Sequence, residues 1–500
     1  MQEGTASIQV TADPIAIASF VLYLGVVIGI GIASARFSSG GVSQFFVGGR
    51  KMHRFVVALS AVVSGRSAWL LLGVTGMAFS MGASAVWAVT GYITAEMFLF
   101  LFYARRIRHF AEAHDCVTLP DFFAARFGDR TGLLRAVLIV VFIVFLMGYV
   151  SAQFVGGGKA FAGSFGLDIT TGMLLTAAIV LVYTVLGGFL AVSLSDMLQA
   201  CIMIVALVAV PAIAIADRGG LQQILAELQT IDPTTIDPVA LGMGGLIGFL
   251  GIGLGSPGNP HIIVRYMSIA DPNQLRYSAV VGTIWNVVMA WGALFIGLAG
   301  RVYFPDIAML PDGDTEQIYP ILASQHLHPV FFGVVVASIF AAIISTADSQ
   351  LLVAASAVVR DFYEKILKRD EDVPQRRLVG LSRIVVGVLV AVAFLFGLAA
   401  PEDLVFWFVL FSWSGLGASI GPTSILALYW KRVTRAGVIA GLITGMAVTL
   451  IWQYTPALDA LMYELVPAFF AALTVTVVVS LRTKPPENVD ALFGAMGGGG

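Results

Sequence analysis

Apolar stretches of about twenty residues follow one another from Pro14 to Leu481 with only short polar intervals between them. A chain built this way can bury its side chains only in a lipid bilayer. Crossing about 30 Å of hydrocarbon takes about 20 helical residues, and suitable runs fall at 14–33, 55–83, 85–104, 133–154, 169–192, 194–216, 241–268, 277–299, 329–358, 379–399, 403–429, 435–454 and 462–481. They predict an all-α integral membrane protein of 13 transmembrane helices in a single domain. With 12% charged residues, about half the soluble average, no interval forms a separate soluble module. A net charge of −2 gives no basic field for nucleic acid. Cys116 and Cys201 lie far apart in a polar loop and an apolar run, a pattern of neither a disulfide framework nor a thiolate cluster.

Basic residues orient the bundle. No basic residue precedes the 14–33 run, so it reads as an anchor and not a cleaved signal. With an odd number of crossings and the N-terminus outside, 24 of the 28 Lys and Arg fall on the inner side, including Arg36, Arg50, Arg265 and the 360–383 group. Lys159, Arg218 and Arg301 remain outside, and Arg66 lies within a run. This asymmetry places the C-terminus in the cytoplasm and the protein in a plasma or inner membrane.

Between the crossings, 118–127 reads as a short interfacial helix and 221–228 as an amphipathic one ending before Pro233. The acidic 304–328 interval reads as a solvated outer face, and the glycines at 497–500 as a flexible run.

Two crossings invite interruption. Run 55–83 carries Ser64, Gly65, Arg66 and Ser67, and run 241–268 carries Gly255, Ser256, Pro257, Gly258 and Pro260. Proline removes a backbone donor, and glycine lowers the cost of leaving the helix. Freed carbonyls are tolerated at membrane depth only inside protein or beside a cavity. These runs open two blocks of five crossings, 55–216 and 241–429, with one run before and two after at 435–481. Because five is odd the blocks are inverted, as expected for alternating access around a midplane site.

The chain resembles the sodium:solute symporter family, and within it the sodium/proline branch, over nearly its whole length. The likeness rests on Phe46-Val47-Gly48-Gly49-Arg50, Trp69-Leu70-Leu71-Leu72-Gly73, Gly187-Gly188 with Ser195-Asp196, Pro260 to Met267, and Ile344 to Leu352. The resemblance implies a leucine-transporter-type core of two inverted fives, sodium coupling, inward carriage of a small organic solute and no enzymatic chemistry. The rivals are a facilitator or channel, a sensor and a membrane enzyme. Only 19 residues follow Leu481, too few for an output domain, and no crossing pairs histidines for a metal.

For the central sodium the resemblance implies carbonyls of Val63, Arg66 and Ala342 with hydroxyls of Ser345 and Thr346. Oxygen ligands suit a hard cation, although either hydroxyl can instead bond a carbonyl one turn back. Where the proline branch reads Asp-Met-Ser-Gly-Trp, this chain reads Gly65-Arg66-Ser67-Ala68-Trp69. An arginine inside a crossing needs a partner, and Asp196 or Asp348 is the expected one. Either sodium coupling is retained, the favoured reading, or the guanidinium replaces the cation and transport is sodium-independent or linked to H+. Asp196, Ser345, Asp348 and Ser349 form either a second cation site or a salt-bridge gate.

The solute would lie by the two interruptions, near Ser67, Trp69, Ser256, Pro257, Gly258 and Asn259, with Phe406, Phe411, Trp413 and Ser414 opposite. Ile252 and Ser256 stand where the proline branch has Trp and Tyr, so proline, another amino acid and an organic acid all stay open. Arg50 and Lys51 lie where the family has a basic residue implicated in coupling, and they also serve the positive-inside pattern.

Overall fold

The computed structural model describes residues 13–35, 41–369, 371–399 and 404–497. Arg36 and the glycines at 498–500 lie outside them. Among the described residues ten helices are long and apolar enough to cross a membrane, and with the neighbours described below they establish an all-α multi-span membrane protein.

Helix length reflects the apolar runs, and glycine sets several corners. Helix Ile169–Asp217 has 49 residues, about 73 Å at 1.5 Å per residue, far more than the hydrocarbon is thick. It bends at Gly188, whose φ of 60° and ψ of −172° belong to a region open essentially to glycine. The next corner is at Gly82 (φ 63°, ψ −141°), between Thr75–Met81 and Val86–Phe98.

The interior is formed by two helices. In Pro329–Leu367 and Val405–Tyr429, 83% of the apolar window is buried, against 28–50% in the other eight. Pro329–Ser356 packs on Ile169–Asp217, Leu133–Phe165 and Pro14–Ala35, while Val405–Tyr429 packs on the 252–258 segment, Arg435–Gln453 and Leu465–Arg482. The remaining helices turn large apolar side chains outward, such as Leu22, Leu174, Ile384 and Leu395, as lipid-facing surfaces do.

Both expected interruptions are present. Helix Arg54–Ser64 stops, Gly65 and Arg66 turn, Ser67 takes a φ of 45°, and a π-helical turn runs from Trp69 to Val74. Helix Gly242–Gly251 tightens into a 3-10 stretch Ile252–Gly258, Asn259 is extended, and Pro260–Ser268 continues. One strand-like contact joins the two broken segments at one end: Met52 N–H donates to Ser268 O (3.1 Å) and Ala270 N–H to Met52 O (3.0 Å).

The short helix Leu119–Phe127 is held by a capping box between Thr118 and Asp121. Asp121 meets Arg135 at 2.7 Å and Arg360 at 3.7 Å. Burial alone would raise the Asp121 pKa, but these two guanidiniums hold it below the usual carboxylate value.

In the 304–328 interval Asp306, Asp312 and His328 are exposed, as expected of a solvated face, but Glu316 departs from it. Glu316 is 1% exposed; it accepts from Lys159 Nζ and from the backbone N–H groups of Val405 and Phe406, each at 2.8 Å. The carboxylate is drawn in because the first amides of helix Val405–Tyr429 and a buried ammonium both need an acceptor.

Gly188→Ala should lower the unfolding free energy by about 1–3 kcal/mol, because alanine is strained at that φ and ψ. Chemical denaturation of the two proteins in one detergent measures it, and an unchanged midpoint would mean that the corner does not depend on glycine.

Candidate functional site

The backbone groups released at the first break find partners on neighbouring crossings and within the break itself. Gln153 Oε1 accepts from Ala68 N–H (2.9 Å), Ser67 Oγ from Trp69 N–H (3.0 Å), and Thr346 Oγ1 donates to Ser64 O (2.9 Å). At the second break Trp413 Nε1 donates to Ile252 O (2.8 Å), Ser424 Oγ to Pro257 O (3.2 Å) and Asn259 Nδ2 to Gly255 O (2.9 Å). Gly255 lets the Trp413 indole approach, since a Cβ there would fall on the ring. The interruptions are thus built into the bundle, as irregular backbone at membrane depth requires.

Between them lies a narrow cavity lined by Gly65, Trp69, Tyr92, Tyr149, Ile252, Val409, Leu410 and Trp413, with about 10 Å³ of free space. That is room for about one water, so the helices must part to admit a solute. Around the breaks, Trp69 Nε1, Gln153 Nε2, Ser256 Oγ, Asn259 Oδ1 and both ring nitrogens of His261 are buried with no hydrogen-bond partner among the described residues. Buried polar atoms are rarely left this way, which makes the surroundings of the breaks the candidate site.

Of the expected solute-site residues, Trp69 and Trp413 line the cavity, and Phe406 stacks on Trp69 at 5.7 Å. Ser67 is buried in the first break, and Ser256, Pro257, Gly258 and Asn259 are buried in the second. Two others turn elsewhere: Phe411 packs on Phe145 at 5.9 Å, and Ser414 Oγ donates to Glu464 Oε1 at 2.7 Å.

On the ion side, Thr346 faces the first break, while the Ser345 hydroxyl turns back on its own helix. Ser345 Oγ donates to Ala342 O at 3.1 Å, and Thr346 bridges to Ser64 as above. The carbonyl of Val63 receives Arg66 N–H and that of Arg66 receives Leu70 N–H, both at 3.0 Å.

The partner of Arg66 is neither Asp196 nor Asp348, as expected from the sequence, but Glu96. Arg66 Nη2 lies 2.6 Å from Glu96 Oε2, and Nε donates to Asn286 Oδ1 at 2.7 Å. Asn286 Nδ2 also donates to Glu96, and the guanidinium sits 3.7 Å over the Tyr92 ring. Tyr92 Oη reaches Glu96 Oε1 (3.0 Å) and Gly65 O (3.2 Å). The side chain points toward Val86–Phe98 and Leu275–Tyr303 because the acid there can neutralise it. Glu96 is the one acidic residue in the 85–104 run, which is the signal that could have found it.

Asp196 is held instead by Arg265, expected at the inner flank but 1% exposed. Asp196 Oδ2 accepts from Ser60 Oγ (2.6 Å) and Ser64 Oγ (3.3 Å) and lies 3.3 Å from Arg265 Nη2. Arg265 also bonds Ser349, whose hydroxyl lies 3.0 Å from Asp348 Oδ1. Asp196 Oδ1 and Asp348 Oδ2 have no hydrogen-bond partner among the described residues. Asp196 thus pairs directly with the guanidinium and Asp348 reaches it only through Ser349, in a setting where an uncompensated charge costs several kcal/mol.

Two broken helices inside a membrane bundle, with oxygen-rich breaks and a closed cavity between them, are the architecture of an ion-coupled transporter. The sodium:solute symporter family pattern matches residues 45–445, and the chain belongs to that family. It is 37% identical to the osmoregulated proline transporter OpuE of Bacillus subtilis (strain 168) over 91% of this chain and 92% of the relative. It is 36% identical to the high-affinity proline transporter PutP of the same organism over 89% and 94%. Among solved structures, a Na+-coupled sialic acid symporter in a substrate-bound outward-open state superposes with a TM-score of 0.81 at 18% identity, covering 95% of this chain and 98% of that one. The fold is therefore of the leucine-transporter type. The protein is a transporter and not an enzyme, with sodium as coupling ion and a small organic solute as cargo.

Glu96→Gln leaves the Arg66 guanidinium buried without a counter-charge and should destabilise the fold by about 3–5 kcal/mol. Arg66→Met combined with Glu96→Gln should recover most of that loss. Unfolding of the unaltered chain, Glu96→Gln, Arg66→Met and the double variant in detergent measures the coupling, and simple additivity of the two changes would contradict it.

Proposed function

We propose that this symporter carries proline or a closely related small amino acid inward, each solute accompanied by sodium bound at the first break. The observation carrying this reading is the placement of Thr346 against the break, its Oγ1 2.9 Å from Ser64 O, while Glu96 holds the Arg66 side chain. With its charge already met by Glu96, the guanidinium is not free to stand in for a cation, which favours sodium over the sodium-independent or H+-linked alternative. Val63, Arg66 and Ala342 supply carbonyls to this ion, and Ser345 and Thr346 supply hydroxyls. Asp196, paired with Arg265, and Asp348, with Ser345 and Ser349 alongside, take a second cation, sodium or a proton.

The substrate assignment is supported by the two proline-transporting relatives. Helix Pro260–Ser268 starts at the second break, where its positive end favours a carboxylate. Ser67, Trp69, Ser256, Pro257, Gly258 and Asn259 enclose the solute, with Phe406 and Trp413 as the opposite wall. Phe411 and Ser414 support that wall from behind.

Thirteen crossings follow if Ile169–Asp217 counts as two at Gly188, 54–81 as one interrupted crossing and 242–268 as another. They divide into 14–35, the inverted blocks 54–217 and 242–429, and two final crossings. The N-terminus is outside and the C-terminus in the cytoplasm, an arrangement supported by the basic residues near Arg50, Arg135, Arg360 and Lys431.

Proteoliposomes with an inward sodium gradient should accumulate labelled proline saturably, with no accumulation when choline replaces sodium. Thr346→Ala should raise the half-saturating sodium concentration about tenfold, the equivalent of one lost hydroxyl ligand. Equal uptake in choline at fixed pH and voltage would defeat the sodium reading, and sodium-driven uptake of a different solute would defeat only the proline assignment.

A further inference from the structure

Three cations converge on one aromatic ring at the basic end of the bundle. The short helix Val489–Gly494 folds back there and buries Leu492, Phe493 and Met496. The Phe493 ring lies 5.8 Å from the Arg106 guanidinium, 5.1 Å from that of Arg126 and 5.8 Å from Lys431 Nζ. Arg126 is fully buried; its Nε donates to Ala427 O at 3.0 Å, but Nη1 and Nη2 have no hydrogen-bond partner among the described residues. Arg106 Nε is likewise buried without one. Neither arginine belongs to an ion pair among the described residues, and Lys431 pairs only with the exposed Asp490 at 2.8 Å. Burial pulls the Arg126 pKa down to about 10, which leaves it charged at neutral pH.

An aromatic face is a modest partner for a guanidinium, contributing about 0.5–2 kcal/mol, and it satisfies none of the N–H donors. A phosphate diester satisfies both, because its charge and acceptor oxygens suit the guanidinium fork. Position decides where such a group comes from. Arg106 follows directly on the helix Val86–Phe98 and its π-helical extension, and Lys431 lies two residues beyond the end of Val405–Tyr429. Arg106 also covers the half-exposed Tyr429 ring at 4.6 Å. These are membrane-interface positions, where lipid phosphates lie. The covering helix has six residues, too few to be stable alone, so it depends on this docking for its form.

We propose that Arg106, Arg126 and Lys431 form a site for the phosphate of an anionic phospholipid headgroup, and that the 489–494 helix competes for it by seating Phe493 on the same cations. The lipid gains a charged interaction when the helix leaves, which couples the cytoplasm-facing surface of the bundle to membrane charge.

The test is thermal stabilisation of the full chain in a neutral detergent, titrated with short-chain phosphatidylglycerol, phosphatidylcholine or inorganic phosphate. It needs no transport, so its outcome is independent of the proline assignment. Phe493→Ala should bind phosphatidylglycerol about tenfold more tightly than the unaltered chain, the ratio for a competitor docked about nine-tenths of the time. Asp490→Asn, which removes only an exposed ion pair, should shift affinity in the same direction by less. Arg106→Gln with Lys431→Gln, both outside the buried core, should abolish the binding, as should Arg126→Gln. Unchanged affinity in Phe493→Ala and Asp490→Asn, retained binding in the Gln variants, or equal stabilisation by phosphatidylcholine or inorganic phosphate would overturn the proposal.

Discussion

Backbone amides and carbonyls cannot be left bare in hydrocarbon, and this constraint shapes the molecule around its two interrupted helices. Each interruption releases polar groups in the interior, and each is answered by side chains from crossings distant in sequence. Gln153 and Thr346 serve the first break, and Trp413 and Ser424 the second. The breaks therefore persist only while the surrounding crossings stay in register with them. Motion of one half-helix necessarily changes the hydrogen bonds made by the others, which gives the site a mechanical link to the opening of the cavity. The Met52 and Ser268 contact adds to this by tying the two half-helices at the basic end into one unit.

Charge inside the bundle follows the same logic. A guanidinium at membrane depth costs about 2.5–3.5 kcal/mol on insertion scales, and Arg66 meets that cost with Glu96, Asn286 and the Tyr92 ring. The arrangement also fixes where the charge lies: toward Val86–Phe98, away from Ser345 and Thr346. Arg265, also buried, pairs with Asp196, and Asp348 joins that cluster through Ser349. One buried cluster is closed upon itself, while in the other Asp196 Oδ1 and Asp348 Oδ2 have no hydrogen-bond partner among the described residues.

Periodicity and punctuation made much of this legible in the sequence. The apolar runs located the helices, and Gly65, Pro257 and Pro260 located both breaks. The gross placement of Ser67, Trp69, Ser256 and Asn259 beside those breaks followed. Pairings across the bundle were not legible, because hydropathy says that an intramembrane arginine needs a partner but not which one. Glu96 and Asp196 are equally isolated acids in apolar runs, and only packing sends Arg66 to the first and Arg265 to the second. Composition alone also misplaced Glu316. Asp306 and Asp312 of the same interval are exposed as read, yet Glu316 serves the unsatisfied amides at Val405 and Phe406, a demand that appears only once the helix start is positioned.

The central claim is that the breaks enclose a site reached from one side of the membrane at a time. Its most direct test is a single cysteine at Ser256, in a protein with Cys116 and Cys201 replaced by serine, labelled with a membrane-impermeant maleimide from either side of oriented vesicles. The account predicts labelling from the outer side in sodium alone, loss of that labelling when solute is added, and labelling from the inner side when sodium is removed. Simultaneous labelling from both sides under one condition would indicate an open pore and contradict the account.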